Sequence, residues 1–237
     1  MPENLFIPSV DLRIGSLEEY NRRQKEKAAL QHRKSKPRPC LTLSREFGCE
    51  GYPVAELLRE LMMQRTGDEW VLIDKAVLEE VARRNNISEE ILRTLGENNR
   101  TLNDVLATFS PNWKSEQDYF RLLSRHVVAL AEQGNVIIVE LGGAIITRHI
   151  EHSFHFRIYG SESFKVASLA RRLSLAPEAA EKLMHRQQKL RDNFTRDFLD
   201  RDDHDPALYH MLFNNNHVSP GGIAHIIADF VCARHGE

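Results

Sequence analysis

The sequence contains no apolar run near the roughly 18 to 20 residues that a membrane-spanning helix requires. Its amino terminus, MPENLF, lacks the charged-then-apolar layout of a secretory signal. Cysteine is scarce, and Cys40, Cys49 and Cys232 lie too far apart for a paired framework or a metal-ligand spacing. That excludes a disulfide scaffold and suits a reducing compartment, so a cytoplasmic address is expected. Excess charge of one sign is also missing. A formal net charge of −2 and an isoelectric point near 6.6 leave no global basic field, and nucleic-acid binding by the whole surface is not expected. There is no internal repeat and no low-complexity tract. No Ser-His-Asp or Cys-His order carries the local signature of a nucleophilic hydrolase.

What is present suffices for one sizeable core, since the chain has 237 residues and 41% apolar content. Between Arg22 and Arg38 eight Lys or Arg face one acid, Glu26, and the stretch closes in a Pro-flanked KPRP. Residues 1–38 therefore read as a basic extension and linker, and residues 39–237 as the folded domain. The extension is either a solvated arm or a contact for acidic partners, nucleic acid or a lipid surface.

After the linker, CLTLS is a short β-prone run, followed at once by a glycine turn. From Pro53 the pattern VAELLRELMM places Val54, Leu57, Leu58, Leu61 and Met62 on one helical face. A second short strand is expected at Trp70–Ile73, leading into Asp74-Lys75 and the amphipathic AVLEEVARR. The polar, helical-looking NNISEEILRTLGENNRTLNDVLATFSPNW reads as part of an inserted helical region near residues 76–133. A helix around Tyr119–Gln133 stops at Gly134, and Val136 to Val139 form the strongest buried-strand signal in the chain. FHFRIYG, two long helical stretches, a short strand near Leu208–Phe213 and a closing helix from Gly222 complete the order. Strands alternating with helices predict an α/β fold, a parallel sheet covered on both faces with ligands at the carboxyl ends of its strands.

The turn in LTLSREFGCEGYPVAELL has the rhythm of a phosphate-gripping loop, because Gly48 and Gly51 permit close backbone approach before a helix amino terminus. A Walker A loop would continue with Lys and Ser or Thr; here Tyr52 and Pro53 follow Gly51. Phosphate binding and an ordinary strand-to-helix turn both remain open on the residues alone. Cys49, inside the turn, is a small filler or a reactive thiol. His149, His152 and His155 do not share one helical face, so no metal site is assigned to them. Asp205-Pro206, after the acidic Asp202 and Asp203, reads as a turn that starts the next element.

SREFGCEGYPVAELL resembles the S-R-E-[FY]-G-S-G-G-R-E-I-A opening of the cytidylate kinase-like family, a branch of the P-loop nucleoside monophosphate kinases. LIDKAVLEEVARRNNISEEIL resembles that family's Y-D-K-E segment. SLARRLSLAPEAAEKLMHRQQKLRDNF is similar to its basic helix and D-K-x-R-x-x-Y stretch, and RDDHDPALYHMLFNNNHVS to its K-D-W-G-D-P stretch. The matches run in family order from about Leu41 to the end, some four-fifths of the chain.

The resemblance implies a P-loop kinase-like three-layer fold with a helical insertion. It also implies Mg²⁺-assisted transfer of the ATP γ-phosphoryl group to a nucleoside monophosphate, CMP or dCMP favoured, or to another small acceptor. A kinase-like nucleotide-binding or regulatory protein impaired in catalysis is the alternative. Carried over by position, Ser44, Arg45, Gly48, Cys49, Glu50, Gly51 and Tyr52 belong to the donor-phosphate loop, and Asp74, Lys75, Glu140 and Gly142 to the acceptor side. Arg171, Arg172, Lys189 and Arg191 match the basic segment that closes over the phosphates, with Arg172, Lys189, Arg191 and Asp74 as the catalytic candidates. Such chemistry is mostly positioning plus neutralisation of charge on the transferring oxygens, which is why cations from several directions are wanted.

The departures matter too. Glu50 replaces a glycine, Tyr52 a basic residue, Gly142 an arginine and Gln188 an acid of the family pattern. Asp74 is read either as an acceptor for a substrate or metal-bound water, or as a helix cap. Glu140, at the end of VIIV, is read either as a holder of metal-bound water or as a strand-end carboxylate that pairs with Arg148.

Overall fold

The computed structural model describes residues 14–17, 19, 20, 22, 23, 37–78 and 116–236. The polar helical stretch expected across residues 85–113 lies outside them. Five parallel strands form one sheet: β1 (Cys40–Arg45), β2 (Val71–Ile73), β3 (Val136–Val139), β4 (Ser153–Tyr159) and β5 (Met211–Asn214), in the order β2-β3-β1-β4-β5. Helices described end to end include α1 (Gly51–Thr66), α2 (Glu116–Gln133), the single turn α3 (Gly143–Ile146), α4 (Glu162–Leu173), α5 (Pro177–Leu199) and α6 (Pro220–Gly236). This is the α/β arrangement expected from the alternation of strand and helix patterns.

Period-two alternation sorts the strands onto two cores. Leu41, Leu43, Ile137, Val139, Phe156 and Ile158 face one side, where Val54, Leu58 and Met62 of α1 and Ile223, Ile227 and Val231 of α6 cover them. Cys40, Val136, Ile138, Val71 and Ile73 face the other, under Leu123, Val127 and Leu130 of α2. Each fully buried Leu or Ile contributes about 1.5–3 kcal/mol of transfer free energy, so these layers outweigh any single polar contact. The α1 face differs in detail from the sequence pattern. Leu57 is exposed and Leu61 only half-buried, because Tyr52 and Ala55 supply the rest of the packed stripe.

Local chemistry sets the ends of the helices. Pro53 sits in the first turn of α1, where its missing N–H costs nothing, and Gly67 closes the helix in the left-handed conformation, its N–H on the Met63 carbonyl. Ser161 caps α4 by accepting the Phe164 N–H. Asp205 caps the 3₁₀ turn Pro206–Leu208 through the Ala207 amide, the turn-initiating role read from its sequence.

The second core reaches back before the basic stretch. Ile14, Leu17 and Tyr20 are buried in it, and the Tyr20 hydroxyl donates to the Gly134 carbonyl. Arg22 and Arg23, immediately after, are exposed and pair with Glu19, Arg23 also with Glu69.

Candidate active site

In open parallel sheets ligands bind beyond the carboxyl ends of the strands, where neighbouring strands send their connections in opposite directions. β1 and β3 are such neighbours: β1 leads to β2, on the β3 side, while β3 leads to β4, on the far side of β1. A cleft of about 630 Å³ opens there. Ser44 and Arg45 come to it from β1, Asp74 and Lys75 from the end of β2, Glu140 and Gly142 from the end of β3, Tyr52 from α1, and Arg191 from α5. Eight of the residues singled out in the sequence therefore converge on one cavity from five elements.

Glu140 is the electrostatic centre of this group. Its carboxylate accepts the Arg45 main-chain N–H at 3.1 Å and lies 3.1 Å from Arg191 Nη1 and 3.6 Å from Arg45 Nε. The expected alternative, pairing with Arg148, is not what forms, since Arg148 is exposed and donates to His149 instead. Glu140 and Leu141 both have left-handed φ angles, 67° and 64°, and Gly142 follows at 66°. For residues with a Cβ that conformation costs about 1–2 kcal/mol each, so the packing around the strand end holds the carboxylate in place against strain.

Arg191 is fixed from three sides. It donates to the Arg45 carbonyl at 3.1 Å, pairs with Glu140, and lays its guanidinium over the Phe47 ring at 5.0 Å. Arg45 is more deeply buried. Burial and the neighbouring Arg191 pull its pKa down to about 10, against the opposing pull of Glu140, and its Nε has no hydrogen-bond partner. Its side chain crosses the start of α1 so closely that a Cβ on Gly51 would meet Arg45 Cδ at 2.2 Å, which is why that position needs glycine.

The glycine turn is tied down rather than open. The Phe47 amide donates to Gln188 at 2.8 Å, the Cys49 amide to the Glu46 carbonyl at 3.1 Å and the Glu50 amide to Asn215 at 2.8 Å. Gly48, at φ 105°, lies against α4, where a Cβ would come within 2.6 Å of Lys165 Cβ. Lys165 pairs with Glu46 at 2.7 Å, and Glu50 with Arg171 at 2.9 Å. Arg172 donates to the Gly48 carbonyl at 3.3 Å, and burial lowers its pKa. Gly48, Cys49, Glu50, Gly51, Arg171, Arg172 and Lys189 do not line the cleft. The helical period explains Lys189: Gln187, Leu190, Arg191 and Phe194 occupy the cleft side of α5, and Lys189 is exposed. Cys49 is fully buried and burial pushes its thiol up to about 12, which suits the filler role and not a reactive one.

Asp74 accepts the Val77 amide at 3.0 Å, the helix-cap geometry. Ser44 is buried. The three spaced histidines go separate ways, His149 to Arg148, His152 to the Ala131 carbonyl and His155 to Thr42.

Several residues that build the site were not among the site candidates chosen from the sequence. Gln188 and Asn215 anchor the turn. Arg157, on β4, is almost fully buried with its Nη1 3.0 Å from Asp203, and Tyr209 donates to the Asp203 carbonyl at 2.6 Å. Asp203 and Tyr209 both line the cleft. An arginine in the middle of a strand pattern was the available clue.

A model of the cytidylate kinase-like family matches residues 40–217. One solved structure that the chain resembles is an uncharacterized protein from Eubacterium ventriosum, at 17% identity and a TM-score of 0.60, covering 83% of this chain and 99% of that one. At that identity the likeness concerns the fold. Among curated proteins, none matches the sequence.

Proposed function

Since the chain belongs to the cytidylate kinase-like family, with its α/β P-loop kinase-like fold, we propose that its cleft binds nucleotides and moves the γ-phosphoryl group of ATP to a nucleoside monophosphate, CMP or dCMP in preference. The observation that carries this is the convergence of Arg45, Arg191 and Lys75 on one cavity at the switch point of the sheet. Transfer of a phosphoryl group asks for little covalent help. It asks for cations placed around the transferring oxygens and for an acceptor hydroxyl held in line.

Mg²⁺ in such reactions is bound by one or two carboxylates together with the substrate phosphates, and it neutralises developing charge. Glu140 and Asp203 are carboxylates of the cleft lining, with Asp74, that would hold such a metal. Glu140 and Asp203 are engaged by arginines and Asp74 by the Val77 amide, so a metal carried on the nucleotide suits the donor set better than a dedicated cage.

A second reading, a nucleotide-binding protein without transfer, is favoured by the turn, whose amides at Phe47, Cys49 and Glu50 are already spent on the protein. Coupled turnover and thermal shift with ATP against CMP, dCMP, UMP and AMP, with and without Mg²⁺, separate the two. Turnover that is lost in Arg191→Ala supports the kinase. Stabilisation without turnover supports binding alone, and no shift with any nucleotide removes both.

A further inference from the structure

We propose that the Arg45–Arg191 guanidinium pair holds the polyphosphate chain and that Glu140 is a resident counter-anion which the incoming phosphate displaces. The inference deepens the nucleotide reading of the same cleft and rests on it for the identity of the natural ligand.

Three observations converge. First, the usual phosphate cradle is partly spent. A nest works by presenting unspent main-chain N–H groups, whereas here Phe47, Cys49 and Glu50 donate to Gln188, Glu46 and Asn215. α4 covers Gly48 and the Arg45 side chain covers Gly51. Second, the cations are in surplus. Arg45 and Arg191 share the single carboxylate of Glu140, and the Arg45 Nε is buried with no hydrogen bond. Buried donors are almost always satisfied, so an unspent one beside a cleft marks a place for an anion. A phosphate dianion balances two guanidiniums where one carboxylate does not, and its oxygens match the planar fork. Third, the two groups are already placed. Arg191 is braced by the Phe47 ring and the Arg45 carbonyl, so neither arginine must be gathered when ligand arrives.

The role of Glu140 follows from its position. It occupies the oxygen sites that a phosphate would take, at 3.1 Å from Arg191 and 3.6 Å from Arg45. It does so at the start of three consecutive left-handed residues, Glu140, Leu141 and Gly142, so release of the carboxylate lets that backbone relax. The arginine pair thus supplies what the missing Walker lysine would have supplied, and the internal carboxylate keeps the pair solvated and ordered in its absence.

The test is calorimetric titration of the full chain with inorganic tripolyphosphate, alongside ATP. Glu140→Gln is expected to bind tripolyphosphate about tenfold more tightly than wild type, and Arg45→Gln and Arg191→Gln each at least about tenfold more weakly. Should Glu140→Gln fail to fold, Glu140→Asp carries the same comparison, because it draws the carboxylate back by one methylene and is expected to tighten binding by a smaller factor. Unchanged or weaker tripolyphosphate binding in the Glu140 variant, or undiminished binding in Arg191→Gln, overturns the proposal. The two readings fail separately. Tripolyphosphate binding with this pattern but no response to any nucleotide removes the kinase reading and leaves the phosphate seat; ATP binding that is indifferent to both arginines removes the seat and leaves the kinase reading.

Discussion

Gln188 holds the Phe47 amide: its side-chain oxygen accepts that N–H at 2.8 Å, and its nitrogen donates to Asp192 at 2.7 Å. A residue on the long helix α5 thereby sets the shape of a turn 141 positions earlier. Gln188→Ala leaves a partly buried amide unpaired and is expected to cost about 1 kcal/mol, read as a lower urea midpoint with an unchanged slope. Gln188→Glu keeps the acceptor but sets a carboxylate against Asp192, and it is expected to cost as much at neutral pH and less in mild acid.

The buried pair of Arg157 and Asp203 gives a larger effect. Arg157 has only 2% of its side chain exposed, so removing its partner strands a charge in the interior. Asp203→Ala is expected to lose about 3–5 kcal/mol in chemical denaturation. The double variant Arg157→Met, Asp203→Leu is expected to recover most of it, since the charge and its desolvation cost leave together. A single substitution within 1 kcal/mol of wild type would contradict the assignment.

Two buried histidines set the acid limit. Burial, helped by Arg125, lowers His126 to about 4, and burial, helped by His210, lowers His155 to about 4. Both are therefore neutral in the fold while the unfolded chain takes up protons near 6.5, so the unfolded state binds more protons between those values. Stability is full above about pH 6.5 and falls as the pH drops towards 4, approaching about 1.4 kcal/mol per pH unit for each histidine. Melting temperatures from pH 7.5 to 4.5 check this, and His126→Leu is expected to flatten the slope. His126 suits that substitution because its Nε2 is buried without a hydrogen bond.

Gly51→Ala separates the geometry of the site from stability. The added methyl meets Arg45 Cδ at 2.2 Å, while alanine is the better helix former at the start of α1. The expected outcome is a melting temperature within a few degrees of wild type and tripolyphosphate binding at least about tenfold weaker, because the Arg45 guanidinium is pushed off its place.

Most of the sheet was legible in the sequence because its signals are local. VIIV is an unbroken apolar run, and it became the fully buried β3. CLTLS preceded a glycine turn and became β1, and the stop at Gly134 matched the end of α2. The site was legible only as a set of positions. Ser44, Arg45, Asp74, Lys75, Glu140, Gly142 and Arg191 were picked out by their place in a pattern, and they do share a cleft. Their partnerships were not readable. Glu140 is bound to residues 95 positions before it and 51 after it, and no periodicity encodes such distances. Arg148, its sequence neighbour, was the partner that the sequence offered, and its exposed side chain donates to His149 instead. The glycine spacing suggested an amide cradle, yet which amides are spent depends on Gln188 and Asn215, residues with no local signature.

The anchoring of Tyr20 on the Gly134 carbonyl reaches beyond the cleft. Charge composition draws its border at the KPRP stretch, yet Ile14, Leu17 and Tyr20 are interior residues of the sheet's second face. A chain begun at Pro39 would present raw hydrocarbon where those three side chains lie, beside the strand that ends in Glu140. Residues before the lysine- and arginine-rich stretch and residues after it thus belong to one folded body. Laboratory trimming to Pro39 would therefore yield a sticky, weakened protein.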